Sequence, residues 1–135
     1  MTLRTIVTLT LMITILTACG GNTASVFPYA ALPPEGDIAN GELLYFNGKG
    51  NNPACSACHV AGAAAAPSLE GYGDVAATRV EGQDAREYTF YAIAEPAQYI
   101  VEGYGNAMWA RYDDNLTPQE VADLVDYILS DEFTP

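Results

Sequence analysis

Residues 52–60 read NPACSACHV, with Cys55 and Cys58 three positions apart and His59 directly after the second. Two thiols and an imidazole at this spacing suit three chemistries: a bound metal, a disulfide switch, or a covalently attached cofactor. Asn52 is a candidate helix N-cap and Pro53 a candidate first helical residue, so the spacing predicts a short helical turn. On such a turn Cys55 and Cys58 share a face at i, i+3, and His59 adjoins it at i+4 from Cys55.

Structural zinc asks for four Cys or His ligands. The chain has one histidine and three cysteines, and the third, Cys19, has a different use argued below. Carboxylates would have to complete the site, and no paired motif offers them. A thioredoxin-like dithiol asks for a strand leading into the motif and a helix leading out. Here NGKGN precedes Asn52, which is turn chemistry, and VAGAAAAP follows His59 without amphipathic periodicity. C-x-x-C-H is also the attachment site of c-type haem. One helical turn sets both sulfurs against the porphyrin edge as thioethers and brings His59 under the iron. The spacing points to this third chemistry, with one covalent haem c as cofactor and His59 as an iron ligand.

Simple electron transfer needs a second axial ligand, drawn from His, Met, Lys or a terminal amine. No second histidine exists, and Met1 and Met12 fall in a segment expected to be removed. Met108 is then the natural sixth ligand. A His/Met pair with a neutral thioether favours Fe(II) and predicts a positive potential. An apolar pocket adds to this, because the oxidised site carries the extra charge.

The N-terminus reads as an address. Residues 1–18 carry Arg4, then a run rich in Leu, Ile, Val and Thr without Asp, Glu or Pro. The run is shorter than the roughly 20 residues of a membrane span, and it fits a secretory signal. Its end, LTAC, resembles the bacterial lipobox, which implies cleavage before Cys19 and a diacylglycerol on its sulfur. Residues 19–35, Cys19 followed by GGNTASVFPYAALPPE, have no helical or alternating period and are expected to form a flexible tether, spanning about 20–25 Å as a random coil. Residues 36–135 are the expected folded domain.

With Arg4 removed, 17 acidic residues face 4 basic ones. That excludes nucleic acid as a partner, since phosphates call for Lys and Arg. It is compatible with a basic protein partner or with a soluble, self-repelling surface. An anionic leaflet would repel the domain, so the lipid must supply most of the membrane attachment.

The positioning elements are mostly helical. GDIANGELLYFNG predicts a helix capped by Asp37, with Gly41 costing about 1 kcal/mol inside it unless another helix crosses closely there. DAREYTFYAIAEP predicts a helix ended by Pro96, and AQYIVEGYG another short one ended by glycine. YGDVAATRVEGQ suits a short hairpin or an irregular loop. LTPQEVADLVDYILS carries a full start signal in Thr117, Pro118 and Glu120, with Val121, Leu124, Val125 and Ile128 on one buried face. Gln119, Asp123 and Asp126 belong to its expected outer side.

From Gly36 onward the order of these features resembles the class I mono-haem cytochromes c. A first helix with Gly41 and Tyr45 is followed by CSACH, PSLEG, a methionine loop and a capped final helix with Tyr127. The resemblance implies a mainly α fold with three to five helices around one covalent haem, its terminal helices crossing at Gly41. The family's P-x-L-x-G falls on Pro67, Leu69 and Gly71. It implies that the Pro67 carbonyl orients His59 and that Leu69 packs on the ring. Residues 87–129 look especially like cytochrome c domains of terminal oxidases and small cytochrome subunits of quinol-oxidising complexes. Members usually carry proline after the ligand methionine; this chain has Trp109, which suits the haem edge or propionates but is expected first as a buried core aromatic. Tyr72, Arg79, Tyr99 and Tyr104 suit either the haem propionates or ordinary packing.

Three functions follow from these readings. The first is a lipid-anchored one-electron carrier on the extracytoplasmic or periplasmic side of a bacterial membrane, not an enzyme. Its partners would be a quinol-oxidising complex, an oxidase, a soluble carrier or a photosynthetic centre. The second is a permanent cytochrome subunit of such a complex. The third is a haem-based gas sensor or enzyme with Met108 off the iron.

Overall fold

A computed structural model describes residues 24–135. The expected signal, residues 1–18, and the lipidation candidate Cys19 lie outside the described residues. Among the described residues four α-helices form: α1 (Ile38–Asn47), α2 (Tyr72–Ala76), α3 (Ala85–Ala94) and α4 (Pro118–Leu129), with short 3-10 turns at Tyr29–Ala31 and Cys55–Ala57. Among the described residues there is no strand, only an isolated bridge between Lys49 and Asn52. None of the described helices is long and apolar enough to cross a membrane.

The two terminal helices form the frame. Asp37 starts α1 by accepting the N–H groups of Ala39 and Asn40 at 3.0 and 3.2 Å. Thr117 and Glu120 start α4 with a reciprocal capping box, and Pro118 occupies its first turn. Both devices satisfy N–H groups that a helix start leaves open. The helices then cross closely. A Cβ on Gly41 would lie 2.1 Å from the Asp123 carbonyl oxygen and 2.7 Å from Tyr127 Cβ, so only glycine fits the crossing. Tyr45 and Tyr127 meet edge-on beside it, with Phe133 closing the aromatic group.

Val121, Leu124, Val125 and Ile128 are all buried. Asp123, expected on the outer side of α4, is also buried, at 2 % exposure. The reason is a second cap. Asp123 Oδ1 accepts the backbone N–H of Asp37 at 2.7 Å, and Oδ2 accepts from Asn40 Nδ2 at 2.7 Å. The buried carboxylate thus meets the positive end of α1 and has its hydrogen bonds satisfied. Asp126 is half-buried for a similar reason, accepting Gly36 N–H at 2.6 Å and Arg86 Nε at 2.8 Å.

Three local expectations change. Residues 72–76 are α2, not a hairpin, packed against α3 and α4. Residues 97–105 form no helix; with Pro96 they become a wall of the site described below. The segment expected as a free tether is fastened over its described part. Ser25 N–H reaches Glu95 Oε1 at 3.1 Å, Val26 N–H reaches Asp113 Oδ2 at 2.6 Å, and Arg86 Nη2 donates to Pro33 O at 2.8 Å. Phe27 and Tyr29 lie against Phe90, and Leu32 is buried in the core. Beyond the 3-10 turn at Tyr29–Ala31 this strap has no helix, but its apolar side chains still have a core to enter.

Candidate functional site

The cysteine turn is tight. The Cys55 carbonyl accepts both Cys58 N–H at 3.1 Å and His59 N–H at 2.9 Å. Its start differs from the expectation. The turn begins after Ala54, and neither Asn52 nor Pro53 opens it. Asn52 is instead a buried amide, 5 % exposed, bonded to residues beyond Met108. Two neighbours fix His59. Its Nδ1 lies 2.9 Å from the Pro67 carbonyl oxygen, and its own carbonyl accepts from Tyr45 OH at 3.3 Å. With Nδ1–H donated to Pro67, Nε2 is the nitrogen left to bind a metal.

The turn borders a cavity of about 730 Å³ with mainly apolar walls. That lies within the usual ligand-cavity range of about 300–1,000 Å³. Cys58, His59, Pro67, Leu69 and Met108 all line it, although they are spread over fifty residues of sequence. Leu69 is 8 % exposed. Cys55 is not on the lining; it is buried in the adjoining core, with Tyr112, which does line the cavity, beside its sulfur. The far wall comes from α2 and α3, where Tyr72 OH and Thr89 Oγ1 lie 3.0 Å apart. Burial, only partly offset by this hydrogen bond, pushes the Tyr72 phenol up to about 12.

Trp109 is 44 % exposed at the cavity margin, not a buried core aromatic. Its indole N–H donates to the buried Asn52 Oδ1 at 3.3 Å. Arg79, Tyr99 and Tyr104 also line the cavity.

The arrangement disfavours the two rival uses of the cysteines. Burial pushes the Cys55 thiol up to about 11, the opposite of the lowered value that a redox-active thiol uses. Among the described residues no group of three or more His, Cys, Asp or Glu side chains is placed to hold a metal ion.

The Cytochrome c family model matches residues 38–131. The chain belongs to the cytochrome c family. No curated protein and no solved structure matches it. Membership brings a covalently bound c-type haem and haem-based electron transfer. The site of this cytochrome fits such a group on its own evidence. The cavity is apolar and large, and imidazole, thiol and thioether donors share it. Arg79 Nε, buried without a hydrogen-bond partner, belongs to a cation on the same lining. A macrocycle with an acidic edge answers each of these features.

Sequence reading passed over Asn52 and Tyr112 as site residues. Both act across long separations, and nothing in a single amide or phenol signals its distant partner. The one available hint was Asn52's place in a Gly/Asn-rich turn just ahead of the cysteines.

Proposed function

We propose that this cytochrome is a one-electron carrier with His59 and Met108 as axial ligands and Cys55 and Cys58 as thioether attachments, anchored by lipid on Cys19 outside the cytoplasmic membrane. The observation that carries the reading is the shared cavity, with His59 and Met108 both on its lining. Haem c supplies a one-electron iron couple, and no substrate bond is made or broken. The chain's contribution is to hold ligands and exclude water. Pro67 fixes the imidazole ring, Leu69 supplies apolar surface, and Met108 offers a neutral sulfur that favours the reduced state. The donor would be a quinol-oxidising complex. The acceptor would be an oxidase, a soluble carrier or a photosynthetic centre. The acidic surplus would steer basic partners at rates that fall with salt.

The fastened strap supports a second reading, a fixed subunit of a larger complex. With Ser25 already bound to Glu95, only residues 20–24 separate the body from Cys19. Five residues reach at most about 18 Å when fully extended. A lipid on Cys19 would therefore hold the haem domain close to the bilayer and limit its sweep.

A potentiometric titration of the purified holoprotein tests the main reading. The expected result is a single one-electron wave at positive potential, with no carbon monoxide binding by the native reduced protein. Ready carbon monoxide binding would overturn it in favour of the sensor or enzyme reading. Co-purification with other redox subunits at high salt in mild detergent would favour the fixed subunit.

A further inference from the structure

The long connection between α3 and α4, residues 95–117, contains Met108 and no regular element. Loops of this length need other means of being fixed. Its second half is tied to a single buried side chain. Asn52 Nδ2 donates to the Tyr112 carbonyl at 2.7 Å. Asn52 Oδ1 accepts from Trp109 Nε1 at 3.3 Å and from Asn115 Nδ2 at 3.2 Å. The amide orientation is forced, because an indole nitrogen only donates and a carbonyl only accepts. The backbone of Asn52 is held too. Its N–H donates to Lys49 O at 2.9 Å, and its carbonyl accepts from Lys49 N–H at 3.3 Å. Tyr112 adds a return bond from its hydroxyl to Pro53 O at 3.1 Å.

We propose that Asn52 is a positioning residue that clamps the methionine loop to the cysteine turn and so sets how firmly Met108 stays on the iron. Asn52 stands three positions before Cys55, and Trp109 stands directly after Met108. The clamp therefore joins the segments carrying the two axial ligands through one side chain, without touching either ligand. A single amide uses both its donor and its acceptor on three loop residues. The inference rests on Met108 being an iron ligand.

The test is made on the full-length holoprotein, comparing wild type with Asn52→Ala. Two properties are read: the methionine–iron charge-transfer band of the ferric form, and the affinity of the ferric protein for added imidazole, which competes with the thioether. Removing the clamp leaves the buried Tyr112 carbonyl unpaired and releases Trp109 and Asn115, and the apparent imidazole affinity is expected to rise about tenfold or more. The band is expected to weaken while covalent haem staining persists. The pair Trp109→Phe with Asn115→Ala strips Oδ1 of both donors at exposed positions and should show a smaller rise in the same direction. It also serves if Asn52→Ala fails to mature. Asp123→Ala, which damages a distant helix cap, controls for simple destabilisation and should leave both readings at wild-type values. A wild type with the band, alongside clamp variants indistinguishable from it, overturns the role of Asn52 alone. A wild type without the band removes Met108 as a ligand, and the clamp's role falls with it.

Discussion

The Asp123 carboxylate on α4 accepts the backbone N–H of Asp37 at 2.7 Å, so one terminal helix caps the other. The same side chain takes hydrogen bonds from Asn40 and Gln119, both at 2.7 Å. Asp123→Ala removes the charged acceptor of three part-buried hydrogen bonds, a loss of about 2–3 kcal/mol. For a domain of this size, the melting temperature should fall by roughly 10–20 °C. Thermal unfolding followed by circular dichroism measures it. A fall of under about 3 °C would mean that the cap contributes little.

Gly41 and Gly73 give opposite responses to the same added methyl group. At Gly41 the new Cβ meets backbone at 2.1 Å, whereas at Gly73 its nearest neighbour is Leu129 O at an ordinary 3.7 Å. Gly41→Ala must push α1 off α4 and should cost at least about 1–3 kcal/mol as an overpacked contact. Gly73→Ala lies inside α2 and should stabilise by about 0.4–1 kcal/mol through the unfolded chain. Urea midpoints of the two variants check the contrast in sign.

Leu32 tests the strap. A free tether would tolerate Leu32→Ala without effect, but this side chain is 9 % exposed within the core cluster. The truncation should cost about 2–5 kcal/mol, as for other buried leucines. A urea unfolding curve superimposable on wild type would return residues 24–35 to the status of a loose linker.

Acid weakens the start of α4. Burial pushes the Glu120 carboxyl up, but Lys49 together with the Thr117 backbone N–H and hydroxyl outweighs it, leaving the group below the usual carboxylate range. A lowered folded value means that the unfolded chain binds the proton more readily. The stabilisation is therefore present above the ordinary glutamate value near 4.5 and is lost as pH falls through the lower folded value. Glu120→Gln should be less stable than wild type at neutral pH and should approach it in acid. Denaturation midpoints at neutral pH and near pH 3 check this. A gap that stays constant or widens in acid would contradict the ion pair and cap.

How much was legible depended on whether the signal was local. α4 was readable because Thr117, Pro118 and Glu120 mark its start within four residues and its buried face repeats with helical period. The cysteine turn and histidine were readable for the same reason. α2 was hidden by brevity: it has five residues, a glycine inside it and another just before it. Residues 97–105 looked helical in composition, but their side chains are used to wall a cavity. The strap was invisible because Phe27, Tyr29 and Leu32 sit among prolines with no period. Asp123 looked like an outer polar residue because a helical wheel shows only its own helix, not the N-terminus of α1 arriving from eighty residues away. Asn52 looked like a cap for the same reason, since its three partners all lie beyond Met108.

The whole account turns on a porphyrin bound covalently at Cys55 and Cys58. Intact mass spectrometry of the denatured protein, matured in a host competent for haem attachment, is the most direct measurement. The account predicts a mass one haem above that of the mature polypeptide, reduced to the polypeptide alone in a Cys55→Ser, Cys58→Ser double variant. A wild-type protein that unfolds to the bare polypeptide mass would contradict it.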